Sequence, residues 1–448
     1  MNRAFVNGTV MTCDEAFNVH SNGTVCVDGS TITYVGQTPP SEFAPDEIVD
    51  CSGWILMPGI INAHVHLGEH LFRGWMDEME FEGLFYSTLF RWEGNLTPED
   101  VLVGSLAAAV ECVKSGVTTV SDMYHHADRI AEAVSEVGLR AMIGQKVLGF
   151  SLDAPPQLSG GEVDYRLDPI AFRKQMDVAL DFAERWNGAA NGHIRTALCP
   201  HATNTLDANM LAEVARQSLG NDLPIHMHLA QMASEQNTVR KRDGLGCVEL
   251  LERCGVLEAR FLGAHGIFVS KDELRLLTRH TASIVHNPIA NAKDAGLIAP
   301  INGYQQAGVR IALGTDAFRM DLLEAARFAA YIHRTVAEDG TAFPAREVLH
   351  WATLGGAEAL GWSDRIGSLE AGKAADMIAV DASRLESLAN GDPHACILYY
   401  GSPQLIRRVY IDGRLICRDG ELVTVREQDV SRDLAARQQA AKEREGIS

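Results

Sequence analysis

Histidines and one aspartate stand at the ends of successive short apolar stretches of this chain: His64 and His66, His226 and His228, His265, His286, and Asp316 directly after Gly314-Thr315. Residues two apart on an extended segment point to the same side, so His64 and His66 can reach one metal ion together. His226 and His228 share a face in the same way, which leaves either as the ligand from that segment. Imidazoles and a carboxylate converging on one point form the donor set of a divalent metal, which an enzyme uses to acidify water for attack on an electrophilic carbon. A single H-x-H pair is weak evidence for this. Five separate segments each ending in a competent residue are strong evidence.

These residues converge only if their segments run side by side into one mouth. Met57 to Ala63, Val117 to Asp122, Arg140 to Gly144, Ile194 to Leu198, Pro224 to His228, Phe261 to His265, Ser283 to His286 and Val309 to Asp316 are short and apolar, and longer helical stretches separate them. The alternation predicts an α/β fold, a (β/α)8 TIM-like barrel with its site at the carboxyl ends of the strands. Helices are predicted from Pro98 to Ser115, with Thr97 as N-cap and Gly116 past the end, and from Ile170 to Trp186. Residues 1–57 and 363–427 read as short strands broken by turns, Asp412-Gly413 among them. The two ends are therefore expected to form one small β-sandwich beside a barrel of residues 58–362. Residues 428–448 are polar and predicted as a surface helix, and Ser151 to Asp168 as a loop at the barrel mouth.

The chain of 448 residues has room for a barrel of ~250 residues and an accessory domain. Acidic residues outnumber basic ones 59 to 39, and the net charge of -20 argues against a nucleic-acid partner held through its phosphates. No stretch approaches the ~20 apolar residues of a membrane span, and the first residues lack the apolar core of a signal peptide, so a cytoplasmic protein is expected. Nine cysteines without a C-x-x-C pair read as reduced thiols; Cys199, beside Pro200-His201, has no evident base and reads as packing.

Several longer motifs resemble those of the amidohydrolase superfamily, and the resemblance covers nearly the whole chain. They are Pro58-Gly-Ile-Ile-Asn-Ala-His64-Val-His66, Leu71-Phe-Arg-Gly, Ser115-Gly-Val-Thr-Thr, His286-Asn-Pro-Ile-Ala-Asn, Ala352-Thr-Leu-Gly-Gly-Ala-Glu-Ala-Leu-Gly, and Ile366-Gly-Ser-Leu-Glu-Ala-Gly-Lys-Ala-Ala-Asp376. Together they look most like the aminohydrolase branch, with its cytosine, guanine and adenosine-type deaminases and its triazine hydrolases.

The resemblance implies one divalent metal, zinc with iron as the alternative, held by His64, His66, His228 and Asp316, with His265 beside the attacking water. No lysine ends the fourth strand, so a two-metal site is not suggested. Asp316 is expected to carry protons and His265 to stabilise developing negative charge. One position departs from the branch, where a Glu commonly stands three residues after the fifth-strand His. Here it is Gln231, which can hydrogen-bond but cannot deliver a proton. The expected function is deamination of a purine, pyrimidine, pterin or triazine-like heterocycle. Hydrolysis of another C–N bond or a C–halogen bond is the alternative that Gln231 keeps open, and a non-catalytic scaffold is the remote one, since every ligand position is filled. Arg73, Trp75, Trp92, Gln145, His201 and His286 are expected around the small-molecule substrate, with Glu69, His70, Tyr124, His125, His126 and Phe318 as further loop candidates. A homo-oligomer is the expected assembly.

Overall fold

A computed structural model describes residues 1–75, 77, 86–159, 162–317, 319–386 and 391–447. Eight parallel strands form the barrel: β1 Ile60–Val65, β2 Val117–Tyr124, β3 Arg140–Val147, β4 Ile194–Thr196, β5 Ile225–Leu229, β6 Phe261–His265, β7 Ser283–His286 and β8 Arg310–Leu313. They hydrogen-bond in two runs, β1 to β4 and β5 to β8. Parallel bridges from Leu198 to Ile225 and from Val65 to Asp316 join the runs and close the sheet on itself. With both faces covered, the strands are near-continuous runs of apolar residues rather than alternating ones. A single large core links strand residues such as Val120, Ile143, Met227 and Ile284 to the inner faces of the surrounding helices.

The predicted first strand is split at Gly59. Trp54–Pro58 pairs antiparallel with Met377–Asp381 in the terminal sheet, and the barrel begins at Ile60. A Cβ on Gly59 would lie 2.0 Å from Thr118 Oγ1, so the chain can pass between the two sheets here only without a side chain. β4 is also shorter than predicted, and a second fragment, Cys199–Pro200, pairs with β3 farther along. The stretch from Ser151 to Asp168, predicted as a loop, contains a small hairpin of Gln157–Ser159 with Glu162–Asp164.

The two ends of the chain meet in one nine-stranded sheet built on Phe5, Val25, Ile32, Leu56, Met377 and Tyr410. Asp412 and Gly413 both take positive φ, 51° and 71°, as the hairpin turn between Ile406–Ile411 and Arg414–Arg418 requires. A buried ion pair of Arg140 with Asp376, 2.9 Å, ties this sheet to the barrel.

Helix α1 spans Tyr86–Gly94 and α2 spans Pro98–Lys114. Thr97 caps α2 as predicted, in a reciprocal pair with Asp100. The last helix, α3, Glu427–Glu445, lies across α2 and the segment after β1, with Gln438 Nε2 donating to the Leu71 carbonyl at 3.1 Å. Among the described residues no helix is long and apolar enough to cross a membrane. All nine cysteines are free thiols, and burial pushes the Cys199 thiol far up, away from nucleophilic use.

Candidate active site

β1 ends in His64-Val-His66, and both imidazoles are buried inside the barrel mouth. His66 Nδ1 donates to the Met123 carbonyl at 2.7 Å, so in the neutral ring that binds metal the proton stays there and Nε2 is the free lone pair. That Nε2 lies 3.2 Å from His228 Nε2 and 3.2 Å from Asp316 Oδ1. His64 Nε2 is 3.8 Å from the same carboxylate oxygen, and His265 Nε2 is 3.6 Å from Asp316 Oδ2. Ligand atoms ~2.1 Å from a tetrahedral ion sit about 3.4 Å from one another, so these separations suit a single metal.

The chemistry of the donors points the same way. His64 Nε2 and His265 Nε2 are buried without a hydrogen-bond partner among the described residues, a costly state for polar atoms unless something fills it. Two overlapping triplets, His64 with His66 and Asp316, and His64 with His228 and His265, are each arranged to hold an ion. The residues present therefore fit a divalent metal.

His226, the sequence-level rival of His228, behaves differently. Its Nε2 lies 2.8 Å from His64 Nδ1 and its Nδ1 lies 3.0 Å from Ser121 Oγ, so both ring nitrogens are already engaged. His228 instead presents Nε2 to His66. Two of the converging residues also depart from ordinary backbone geometry: His265 has φ 78° and Asp316 φ 64°, in the left-handed region that side chains other than glycine avoid. The approach of β8 to β1 is equally tight. A Cβ on Gly314 would lie 2.3 Å from Asn287 Oδ1 and 2.9 Å from His64 Cβ. Asn287 and Asn291 in turn surround His265, whose Nδ1 donates to Asn291 Oδ1 at 2.8 Å.

Electrostatics separate the group into charged and neutral members. Burial opposes charge on His66, but the carboxylates of Glu69 and Asp316 outweigh it and raise its pKa to about 9. Burial would raise Asp316, but its hydrogen bond with His66 and the imidazoles around it bring it down to about 2. His64 and His228 are driven well below the usual imidazole value, first by burial and then by neighbouring imidazoles, and His265 is lowered by burial. Neutral imidazole is the form that binds metal.

Beside this cluster lies a charged group that the sequence reading passed over. Lys146, near the end of β3, is buried and pairs with Glu93 of α1 at 2.6 Å, and His125 Nε2 meets the other Glu93 oxygen at 3.2 Å. Burial would raise Glu93, but Lys146 and His125 hold it far below the usual carboxylate range. The available signal was a lysine near the end of a strand predicted to be buried, which such a position permits only with a partner.

The expected substrate-binding residues divide. His201 is buried edge-on to His228, ring centres 4.8 Å apart, at the site. Trp75 and Trp92 pack on each other and on Phe72, with Lys442 of α3 over the Trp75 ring. Arg73 pairs with Glu111 on α2 at 2.6 Å, Gln145 Oε1 accepts from the Ala127 N–H at 3.1 Å, and His286 Nε2 lies 2.8 Å from His333 Nε2. Those five have contacts within the protein itself. Of the further candidates, His125 goes to Glu93, His126 to the Leu96 carbonyl and His70 toward Glu111, while Glu69 is buried near His66. Phe318 lies outside the described residues. Gln231 is buried just past β5, and its backbone N–H donates to Glu235 at 2.9 Å.

Comparison with known proteins agrees with this geometry. Residues 55–416 match the model of the amidohydrolase family. The chain is 33% identical over 416 residues to a 5-methylthioadenosine/S-adenosylhomocysteine deaminase of Desulforudis audaxviator, covering 92% of this chain and 93% of that protein. It is 33% identical over 441 residues to a 5'-deoxyadenosine deaminase of Methanosarcina barkeri, covering 98% and 97%. A crystal structure of an adenosine deaminase from Xanthomonas campestris with bound zinc superposes with a TM-score of 0.89 at 27% identity, over 98% of each chain. The chain belongs to the amidohydrolase family, as a hydrolase of carbon–nitrogen bonds other than peptide bonds.

Proposed function

We propose that this enzyme deaminates an adenosine-type nucleoside modified at its 5′ position, with His64, His66, His228 and Asp316 holding one zinc ion. The observation that carries the reading is the convergence of those four side chains and His265 at one barrel mouth. The substrate class is supported by relatives of near-equal length that are deaminases of 5′-deoxyadenosine, 5-methylthioadenosine and S-adenosylhomocysteine. Zinc is supported by its presence in the adenosine deaminase of the same fold.

A divalent metal held there supplies a water acidified toward neutrality, ready to attack an sp² carbon. Asp316, its carboxylate held ionised, would accept a proton during attack and hand it to the departing amine. His265, anchored through Nδ1 by Asn291, would turn Nε2 toward the oxygen added to that carbon. His201, edge-on to His228 and in contact with Phe90 of α1, would meet the heterocycle beside the metal position. Gln231 can hydrogen-bond a ring nitrogen but cannot protonate it, so Asp316 carries more of the proton traffic than a neighbouring Glu would leave to it.

That same Gln231 favours a second reading, hydrolysis of a heterocycle whose leaving group departs without a proton, such as chloride. Zinc-loaded enzyme should be offered adenosine, 5′-deoxyadenosine, 5′-methylthioadenosine, S-adenosylhomocysteine, guanine and a chlorotriazine, with ammonia and chloride measured. Ammonia from a 5′-modified adenosine is the expected result. Chloride without ammonia would support the second reading, and turnover of none of the six would overturn both.

A further inference from the structure

Ser121 on β2, His226 on β5 and His64 on β1 form a chain of hydrogen bonds that leads away from the proposed metal position. His64 Nδ1 lies 2.8 Å from His226 Nε2, and His226 Nδ1 lies 3.0 Å from Ser121 Oγ. All three residues are completely buried. No solvent reaches them to replace a missing partner, and a 2.8 Å contact between two ring nitrogens requires one of them to be a bare acceptor.

A neutral imidazole carries one proton, so each ring is a donor at one nitrogen and an acceptor at the other. The contact between His64 and His226 therefore has two states. In one, His64 donates from Nδ1 and its Nε2 is a bare lone pair; His226 accepts at Nε2 and must donate from Nδ1. In the other, His226 donates from Nε2, and the proton of His64 sits on Nε2, where it blocks coordination. The two rings can only change together. Which state is comfortable depends on the far end of the chain, because the first state needs an acceptor for the His226 Nδ1 proton and the second does not. The Ser121 hydroxyl is that acceptor, and by rotating it can also donate in the second state.

We propose that Ser121 and His226 act as a tautomer relay for His64, positioning residues that let its Nε2 bind metal without leaving a buried N–H unpaired. The inference rests on His64 being a ligand. It explains why a second histidine stands two residues before His228 yet turns to His64, and it gives the fully buried Ser121 hydroxyl its partner. It assigns to His226 a role other than coordination.

The test is zinc affinity, measured by competition with a chromophoric chelator on the whole chain, with the metal-free fold checked by circular dichroism. Ser121→Ala removes one oxygen and keeps the packing. It should weaken zinc binding by roughly 10- to 100-fold, the usual effect of losing the partner that orients a ligand histidine. His226→Phe should do the same, while Ser121→Thr, which keeps the hydroxyl, and His226→Gln, which keeps an acceptor facing His64, should bind zinc like the parent. The double variant Ser121→Ala/His226→Phe should be no weaker than His226→Phe alone, because a relay broken once has nothing left to lose. Additive losses in the double variant would mean that the two residues only pack, and unchanged affinity in both single variants would overturn the relay. A parent protein that binds no zinc would instead remove the metal site itself, and the relay with it.

Discussion

Asn62 of β1 and Thr315 beyond β8 exchange two hydrogen bonds: Asn62 Nδ2 donates to Thr315 Oγ1 at 2.7 Å, and the Thr315 N–H donates to Asn62 Oδ1 at 3.0 Å. The pair closes the seam between the first and last strands of the barrel. The next residue, Asp316, donates its own N–H to the His64 carbonyl at 3.0 Å, so the seam also sets the spacing between His64 and Asp316. Asn62→Ala should therefore cost about 3 kcal/mol, since it strands buried partners on both strands, and should weaken zinc binding as well. Denaturant unfolding and chelator competition measure the two effects; a loss of stability with unaltered zinc affinity would show that the seam does not position the ligands.

Protons and metal should compete at His66. With its pKa raised to about 9, the metal-free protein carries a proton there at pH 7, and zinc uptake should release it. Calorimetry in two buffers of different ionisation heat reads this directly: about one proton at pH 7, falling toward none above pH 9. The sign for stability follows from the same shift. A pKa above the ordinary 6.5 stabilises the metal-free fold fully below pH 6.5, and that contribution is lost as pH rises through about 9. Parent and His66→Gln, both metal-free, should converge in stability over that interval; a parallel course would refute the assignment.

Asp316→Asn keeps an oxygen for the metal and removes the base. Turnover should fall by roughly 100- to 10,000-fold, with the variant still binding substrate. Steady-state kinetics on metal-analysed protein separates this from simple loss of zinc. A variant that turns over normally would free Asp316 from proton transfer.

Gln231→Glu would put a proton carrier three residues past His228. If deamination is limited by protonation of the ring nitrogen, ammonia release should rise, by up to roughly 100-fold. An unchanged rate would place the limit elsewhere and strengthen the reading in which no amine leaves.

Lys146→Met would leave Glu93 buried without its main counter-charge. The expected cost is about 3–5 kcal/mol, with Lys146→Met/Glu93→Leu recovering most of it. Thermal unfolding of the two variants distinguishes a pair that matters only as a pair from a lysine needed in its own right, whose loss the double variant would not repair.

The barrel, its strand order and the residues at the strand ends were legible in the chain alone, because both depend on local patterns. Apolar runs of strand length between amphipathic helices specify a parallel sheet covered on both faces, and a strand exposes its last residue at the mouth whatever the rest of the fold does. Alternation along an extended segment likewise brought His64 and His66 to one side. The same rule could not separate His226 from His228, since it assigns both to one face; only the neighbouring strands, which offer His226 the rings and hydroxyl of His64 and Ser121, tell them apart. Nor could sequence foresee that Arg73, Gln145 and His286 would be taken up by Glu111, Ala127 and His333, or that Lys146 and Glu93, 53 positions apart, would meet in the interior. Such pairings are decided by which helices and strands the closed barrel brings together. What pattern determines is where a side chain points, and what tertiary structure adds is the partner it meets there.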